Sequence, residues 1–535
     1  MATCKSMFQQ LEPFLWRHAS IKSLPPLRNV MLRNCHYIRT LYISNLNEYC
    51  LHVLSSGLLE PPTKSEMEIS YTTSAAESLQ SFASLQKLVI SKIGIVFELV
   101  DSINPQLFLT VLHHSPNLIY LEMPYPIFLQ RSTPASLFQK LLFNDLRQLV
   151  HLKFLGQGEK TIDTSIAMAL LAVGLLHPQL QELSFNFTMA KTKKDPDFSA
   201  VLDYLKSAKT SDGSFKSKIS SLRLPTYDGG YPISFLESLL GDHVPAIESF
   251  SIPNIVNGSQ VDLSEAIGGL CHRIQHIDCS VTAANLSGAI VKAFISGRSQ
   301  KLRTFRATPF DDFDRNKRPL DVMKTLIQHH SETLENIELL DCTAIKSEEI
   351  QNIFKTCGKL KRCWITSGAK KTVSIDFDDI VSGEWLCHDL EELSLVLNRG
   401  TGGGGGGDVI MGPPESVAER VYAQIGRLVK LEKLALGCNM DEGASARAKD
   451  FDMDLTLQQG WLAELSGLVE LQHLHMVTSF WWKMGQAEVE FMHANWPHLE
   501  RITLRGANAK EFQHVEELPH WQWLRKQRPI LVMEY

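Results

Sequence analysis

Six-residue stretches with apolar residues at positions 1, 4 and 6, and polar residues between, recur along the whole chain. The clearest is Leu334-Glu335-Asn336-Ile337-Glu338-Leu339, and a run with helical periodicity, Leu320 to His330, precedes it. In a strand the side chains alternate faces, so positions 4 and 6 share one face. Position 1 enters the same core from the preceding turn. The run between two strands must bury an apolar stripe of its own. Neither element can do this alone, so the units stack, strand beside strand and helix beside helix. Neighbouring strands then run parallel, because each is reached through a crossover helix. The pattern predicts an α/β solenoid, a horseshoe with a parallel sheet lining its concave side and helices outside. About fifteen irregular repeats are expected, spaced roughly 26 to 47 residues apart.

The first signature is Ile38, Leu41 and Ile43, followed by Leu85, Leu88 and Ile90, and the last is Leu499, Ile502 and Leu504. The unit Leu302, Phe305 and Ala307 is degenerate, since alanine fills a slot held elsewhere by a larger residue. Residues 1–34 are expected to form an N-terminal cap and residues 35–510 the solenoid, with loop insertions near 60–78, 398–414 and 439–454. The second insertion holds six consecutive glycines, Gly402 to Gly407, a flexible linker composition. Residues 511–535, with Trp521, Trp523 and the run Ile530 to Met533, read as a helix and short strand capping the open end.

Composition adds limits. Over 535 residues the hydrophobic share is 44% and the charged share 21%, ordinary for a folded protein. A net charge of −6 gives no electrostatic footprint for nucleic acid or an anionic membrane. The longest apolar run, Ile166 to Leu176, is short of the roughly 20 residues a membrane span needs and fits a buried helix. The start, Met-Ala-Thr-Cys-Lys-Ser, lacks the apolar core of a signal peptide. Ten cysteines include no Cys-x-x-Cys pair, and several fall at one recurrent place in the repeat. This predicts buried, reduced thiols in an intracellular protein, cytoplasmic or nuclear. The sequons at Asn186, Asn257 and Asn285 then read as chance occurrences.

No enzyme motif stands out. Cys-His pairs recur one per repeat rather than converging four to a site, which argues against zinc. The glycine tract is followed by Asp408-Val409 rather than the lysine and hydroxyl of a phosphate loop. Neither Gly-x-Ser-x-Gly nor His-Glu-x-x-His occurs. The run Asp311-Asp312-Phe313-Asp314 is followed by Arg315, Lys317 and Arg318 and reads as a solvated loop. No catalytic residue, cofactor or metal is expected.

The informative positions are 3, 5 and 7 of each strand, which face away from the core. Towards the C-terminus they bring together arginine, tryptophan and histidine, types enriched at binding hot spots. The candidate partner-binding residues are Arg306, Arg362, Trp364, His473, His475, Arg501 and Arg505, with Trp481 in the loop beyond. Trp481 and Trp482 also fit a packing role over a gap between loops. On the earlier strands the same face carries Tyr42, Lys87, Tyr120, Glu122, Lys153 and Arg223, with no common theme. Within the opening stretch, Asn336 and Glu338 should face this groove and tolerate replacement, while Leu334, Ile337 and Leu339 should not.

The helix-to-strand junction carries a family signal. Cys35-His36-Tyr37-Ile38, Cys271-His272-Arg273-Ile274, Cys357-Gly358-Lys359-Leu360 and Cys387-His388-Asp389-Leu390 share it, with variants at Ser115-Pro116, His177-Pro178 and Trp496-Pro497. This resembles the cysteine-containing leucine-rich repeat of F-box proteins and ribonuclease-inhibitor-like arrays. Long irregular repeats, the lead Phe14-Leu15-Trp16-Arg17 and the closing Trp521-Gln522-Trp523-Leu524 look like fungal F-box and leucine-rich-repeat proteins. The resemblance implies a substrate-recognition subunit of an SCF-type ubiquitin ligase, holding a protein substrate on the concave face. It implies a Skp1-like adaptor only where an F-box is present. The chain departs from the family here: no Leu-Pro-x-Glu-Ile-Leu-like start occurs, and Phe8 to Arg17 looks like the segment that follows an F-box. The alternative is an inhibitor or assembly scaffold outside the ubiquitin system.

Overall fold

A computed structural model describes residues 17–21, 37–43, 82, 84–91, 111–124, 139–156, 164–189, 197–207, 217–227, 230–251, 255–256, 273–280, 301–308, 322–340, 345–366, 374–398, 415–436, 455–458, 460–477, 484–505 and 517–534. The insertions at 60–78 and 439–454, almost all of 398–414, and the Cys-His pairs Cys35-His36 and Cys271-His272 lie outside these residues. The chain divides into two compact units, Met1–Gly258 and Ser259–Tyr535.

The first unit is a parallel sheet of β1 (His18–Ile21), β2 (Thr40–Ile43), β3 (Lys87–Ile90), β4 (Tyr120–Pro124), β5 (His151–Leu155), β6 (Glu182–Asn186), β7 (Ser221–Arg223) and β8 (Ser249–Ser251). Each strand pairs with the next in sequence order. The second unit repeats the plan with β9 (His276–Ser280), β10 (Thr304–Thr308), β11 (Asn336–Leu340), β12 (Arg362–Thr366), β13 (Glu392–Leu395), β14 (Lys433–Leu436), β15 (His473–Val477), β16 (Arg501–Arg505) and β17 (Val532–Glu534). These also pair in order and in parallel. The fold is an α/β leucine-rich-repeat array in both units.

Register explains why strands so far apart in sequence align. Position 4 of each strand meets position 4 of the next, so Ile277, Phe305, Ile337, Cys363, Leu393, Leu434, Leu474, Ile502 and Met533 form one column across the second sheet. Leu334, Ile337 and Leu339 are each 0% exposed. Slipping by one residue would turn this column outward, which fixes the pairing. Neighbouring strands also share a forked bond at position 2: the Glu335 carbonyl accepts from the N–H groups of Lys361 (2.7 Å) and Arg362 (3.0 Å). The degenerate unit keeps the plan, with Ala307 fully buried.

Helices return the chain between strands, among them Thr164–Leu176, Val322–His330, Ser347–Thr356, Glu415–Gly426 and Gln486–Asn495. Thr164–Leu176 holds the long apolar run and is buried over most of its surface. Several described helix-to-strand junctions close with the same turn. The N–H of Leu118, Leu180, Leu360, Leu390 and Leu499 donates to the carbonyl of Ser115, His177, Cys357, Cys387 and Trp496 respectively. The residue opening this turn points inward, so cysteine, histidine, serine and tryptophan there are all buried. Burial pushes the Cys357 thiol up to about 11 and the Cys387 thiol up to about 12, so both stay protonated and poorly nucleophilic. His177 occupies the slot as a neutral ring, its Nε2 3.1 Å from the Leu146 carbonyl and its Nδ1 3.3 Å from the Gln179 N–H.

The two ends of the array stand differently to the sequence pattern. The strand β1 precedes the first expected signature and pairs with β2 through His18 and Thr40. At the other end, the helix Pro519–Gln527 and β17 follow the expected order, and β17 pairs with β16. Arg528 fastens this segment: Nη1 donates to the Trp496 carbonyl (2.6 Å), Nη2 to the His493 carbonyl (2.7 Å) and Nε to His493 Nδ1 (3.2 Å).

Close stacking needs glycine at one contact. A Cβ on Gly426 would lie 2.0 Å from the Glu464 carbonyl oxygen, and one on Gly467 would lie 2.3 Å from the Gly426 oxygen. The end of the helix Glu415–Gly426 thus touches the short turn Leu462–Gly467 backbone to backbone. Gly426→Ala should push these elements apart and cost about 1–3 kcal/mol. Urea unfolding followed by circular dichroism checks this; an unchanged midpoint would refute the close contact.

Candidate functional site

The side chains opposite the core form two rows across the second unit. The position-3 row runs His276, Thr304, Asn336, Arg362, Glu392, Lys433, His473 and Arg501. The position-5 row runs Asp278, Arg306, Glu338, Trp364, Ser394, Ala435, His475 and Thr503. Adjacent members sit about 4.8 Å apart along the strand stacking, within reach of long side chains.

The rows carry a ladder of alternating charge. Arg306 Nε lies 3.3 Å from Glu338 Oε2, and Arg362 Nη1 lies 3.6 Å from Glu338 Oε1. Arg362 Nε is 2.8 Å from Glu392 Oε2 but off the hydrogen-bond axis, while its Nη2 donates to Glu392 Oε1 at 3.0 Å. Lys433 Nζ reaches the same Oε1 at 2.9 Å. The carboxylates sit deep, with side chains 13% (Glu338) and 10% (Glu392) exposed, and the cations reach over them. Burial opposes the Glu392 charge, yet hydrogen bonds from Lys433 and Arg362 outweigh it and hold the carboxyl below its ordinary value. At Trp364 the Arg362 guanidinium carbon stands 5.0 Å from the ring centroid, a cation–π contact.

Arg306, Arg362, Trp364, His473 and Arg501 therefore all lie on one face of one sheet. Burial, followed by the charges of Arg501 and Lys433, pushes the His473 imidazole below its ordinary value. Arg501 Nη1 makes a 3.8 Å contact with Glu534 Oε1. His475 departs from expectation. It is on the same face but only 7% exposed, and its register neighbours Ala435 and Thr503 are buried with it. A side chain so covered offers little surface to a partner. Trp481 and Trp482 lie outside the described residues, as does the side chain of Arg505.

Sequence reasoning passed over Glu338, Glu392 and Lys433 as candidates. Their signal shows once strand register is known, which puts opposite charges on adjacent strands of one row. Glu338 faces this side of the sheet as expected, and two arginines lean on it. Among the described residues no group of three or more His, Cys, Asp or Glu is placed to hold a metal ion, and no helix is long and apolar enough to cross a membrane.

No family model matches the chain, and no curated protein matches it. Similar solved structures include a leucine-rich-repeat protein of Leptospira interrogans, at 12% identity and TM-score 0.32, covering 97% of this chain and 100% of that one. A yeast complex of Rad7 and Elc1 is similar at 14% identity and TM-score 0.40, covering 99% and 94%. The leucine-rich-repeat-containing protein LegL7 from Legionella pneumophila is similar at 12% identity and TM-score 0.25, covering 84% and 93%.

Proposed function

We propose that the chain is a protein-interaction module that holds a protein partner on the open face of its second unit, as the substrate-recognition subunit of an SCF-type ubiquitin ligase. The observation that carries the first part is the placement of Trp364. A large ring stands at the centre of a charge-matched face, with Arg362 against it and carboxylates set behind the cations. Tryptophan and arginine in such surroundings are the residue types that carry binding energy, while the matched charges around them set register and exclude wrong partners. The ligase assignment draws on the resemblance of the repeat junctions to F-box and leucine-rich-repeat proteins. In this reading the chain has no reaction or cofactor of its own.

Affinity purification of the full-length gene product from its own cells, followed by mass spectrometry, tests both parts. A Skp1-like adaptor and a cullin should co-purify, together with a substrate that accumulates when the gene is deleted. Trp364→Ala should weaken capture of that substrate by about 2 kcal/mol or more, roughly thirtyfold, while the adaptor is retained. Absence of adaptor and cullin alongside a stable protein partner would overturn the ligase part and leave the scaffold.

A further inference from the structure

The first unit carries a second face whose chemistry differs from the ladder. The Arg17 carbonyl accepts from the N–H groups of Arg39 (3.0 Å) and Thr40 (3.1 Å), which puts Arg17 and Arg39 at the same position of neighbouring strands. Lys87 follows on the next strand, in register with Thr40 and His18. Arg17, His18 and Arg39 are exposed. Residues 17–21, 37–43, 82 and 84–91 contain no aspartate or glutamate. Among the described residues, no carboxylate pairs with Arg17, Arg39 or Lys87.

Aromatic rings interleave with these cations. Lys87 Nζ lies 5.6 Å from the centroid of Tyr42 and 4.5 Å from that of Tyr120. Tyr42 is 39% exposed. The tyrosine rings hold the ammonium group without neutralising it. One strand further on the balance changes. Glu122 accepts from the Tyr120 hydroxyl, and Glu182 pairs with Lys153 at 2.8 Å and His151 at 2.9 Å. The basic patch thus ends where carboxylates begin. Like charges at one position of adjacent strands work against folding. Arg17 beside Arg39 is therefore poorly explained as a stabilising contact.

We infer that the starts of β1 to β4 form a docking surface for an acidic, extended segment of a protein partner, distinct from the face that carries Trp364. The three strand gaps span roughly 14 Å, which matches about four residues of extended chain. Carboxylates of the segment would meet Arg17, Arg39 and Lys87, and an apolar or aromatic side chain would lie on Tyr42. Charge complementarity selects the occupant. A nucleic acid would meet a chain of net charge −6, and the three cations Arg17, Arg39 and Lys87 fall short of the about six to ten contacts that tight phosphate-backbone binding uses.

The test uses the full-length chain and fluorescence anisotropy of labelled octaglutamate, octalysine, a Gly-Ser octapeptide and a single-stranded oligothymidylate. Octaglutamate should bind, octalysine and Gly-Ser should not, and raising salt from about 0.05 to 0.5 M should weaken binding. Arg17→Glu with Arg39→Glu should lower octaglutamate affinity at least about tenfold, and Arg17→Gln with Arg39→Gln should lower it less. Lys526→Glu, on the exposed side of the helix Pro519–Gln527, should leave it unchanged. Circular dichroism confirms that each variant is folded. No octaglutamate binding, equal loss in Lys526→Glu, or tighter oligothymidylate binding with the same variant dependence would each overturn the inference. None of these outcomes depends on adaptor recruitment, so the ligase reading stands or falls separately.

Discussion

Ile337→Ala lowers the stability of the second unit by about 2–5 kcal/mol, while Glu338→Gln, one residue along, costs about 1 kcal/mol or less. The difference follows from the strand alternation. Ile337 is fully buried and lies in register between Phe305 and Cys363. Its neighbours are held by their own strands, so the space it leaves collapses only in part, and Ala307 on the adjacent strand already fills little volume. Glu338 faces the other way, with Arg306 and Arg362 at 3.3 Å and 3.6 Å. Losing it leaves two guanidinium groups without that carboxylate, but both can turn to water. Urea titration of both variants, at low salt and at about 0.5 M sodium chloride, separates the two mechanisms. Salt should shrink the Glu338→Gln effect and leave that of Ile337→Ala in place. A larger midpoint shift for Glu338→Gln than for Ile337→Ala would refute this division between core and face.

The buried half of the fold was legible because burial is periodic. A column such as Ile277, Phe305 and Ile337 reads directly from the apolar pattern, since each strand must supply one member. The strand β1 was not legible: His18-Ala19-Ser20-Ile21 offers one large apolar side chain and no triad. The candidate face was half legible. Arg306, Arg362, Trp364 and Arg501 were placed on it by alternation alone. The carboxylates that organise them were missed because the contacts cross repeats of unequal length. Arg362 meets Glu392 across 30 residues, and Glu392 meets Lys433 across 41. Sign alternation at such spacing appears only once strand register is known. The burial of His475 was not legible for a related reason, because alternation gives a direction and not an exposure. The basic patch on β1 to β3 was missed for both reasons, since Arg17 and His18 sit at the start of the unrecognised strand.

Gln351→Leu should cost about 2–6 kcal/mol although it nearly conserves volume. Gln351 is 2% exposed on the helix Ser347–Thr356. Its Nε2 donates to the carbonyls of Ile380 (3.0 Å) and Gly383 (3.2 Å), and its Oε1 accepts from Trp385 Nε1 (2.9 Å). Leucine leaves the Ile380 carbonyl and the Trp385 indole without this partner, each costing about 1–3 kcal/mol in a buried site. The Gly383 carbonyl keeps a bond from Gln424 Nε2 at 3.0 Å, so it adds little. The amide ties the helix before β12 to the segment before β13, and the Trp385 ring stacks on Phe354 of that helix at 4.3 Å. Loosening this tie should therefore also disturb the strand that presents Arg362 and Trp364. The double variant Gln351→Leu with Trp385→Phe removes the orphaned donor and should recover part of the loss, giving a coupling energy in a double-mutant cycle. A Gln351→Leu midpoint within about 0.5 kcal/mol of the unmodified chain, or strictly additive losses in the cycle, would show that burial of the ring and not the amide network holds these repeats together.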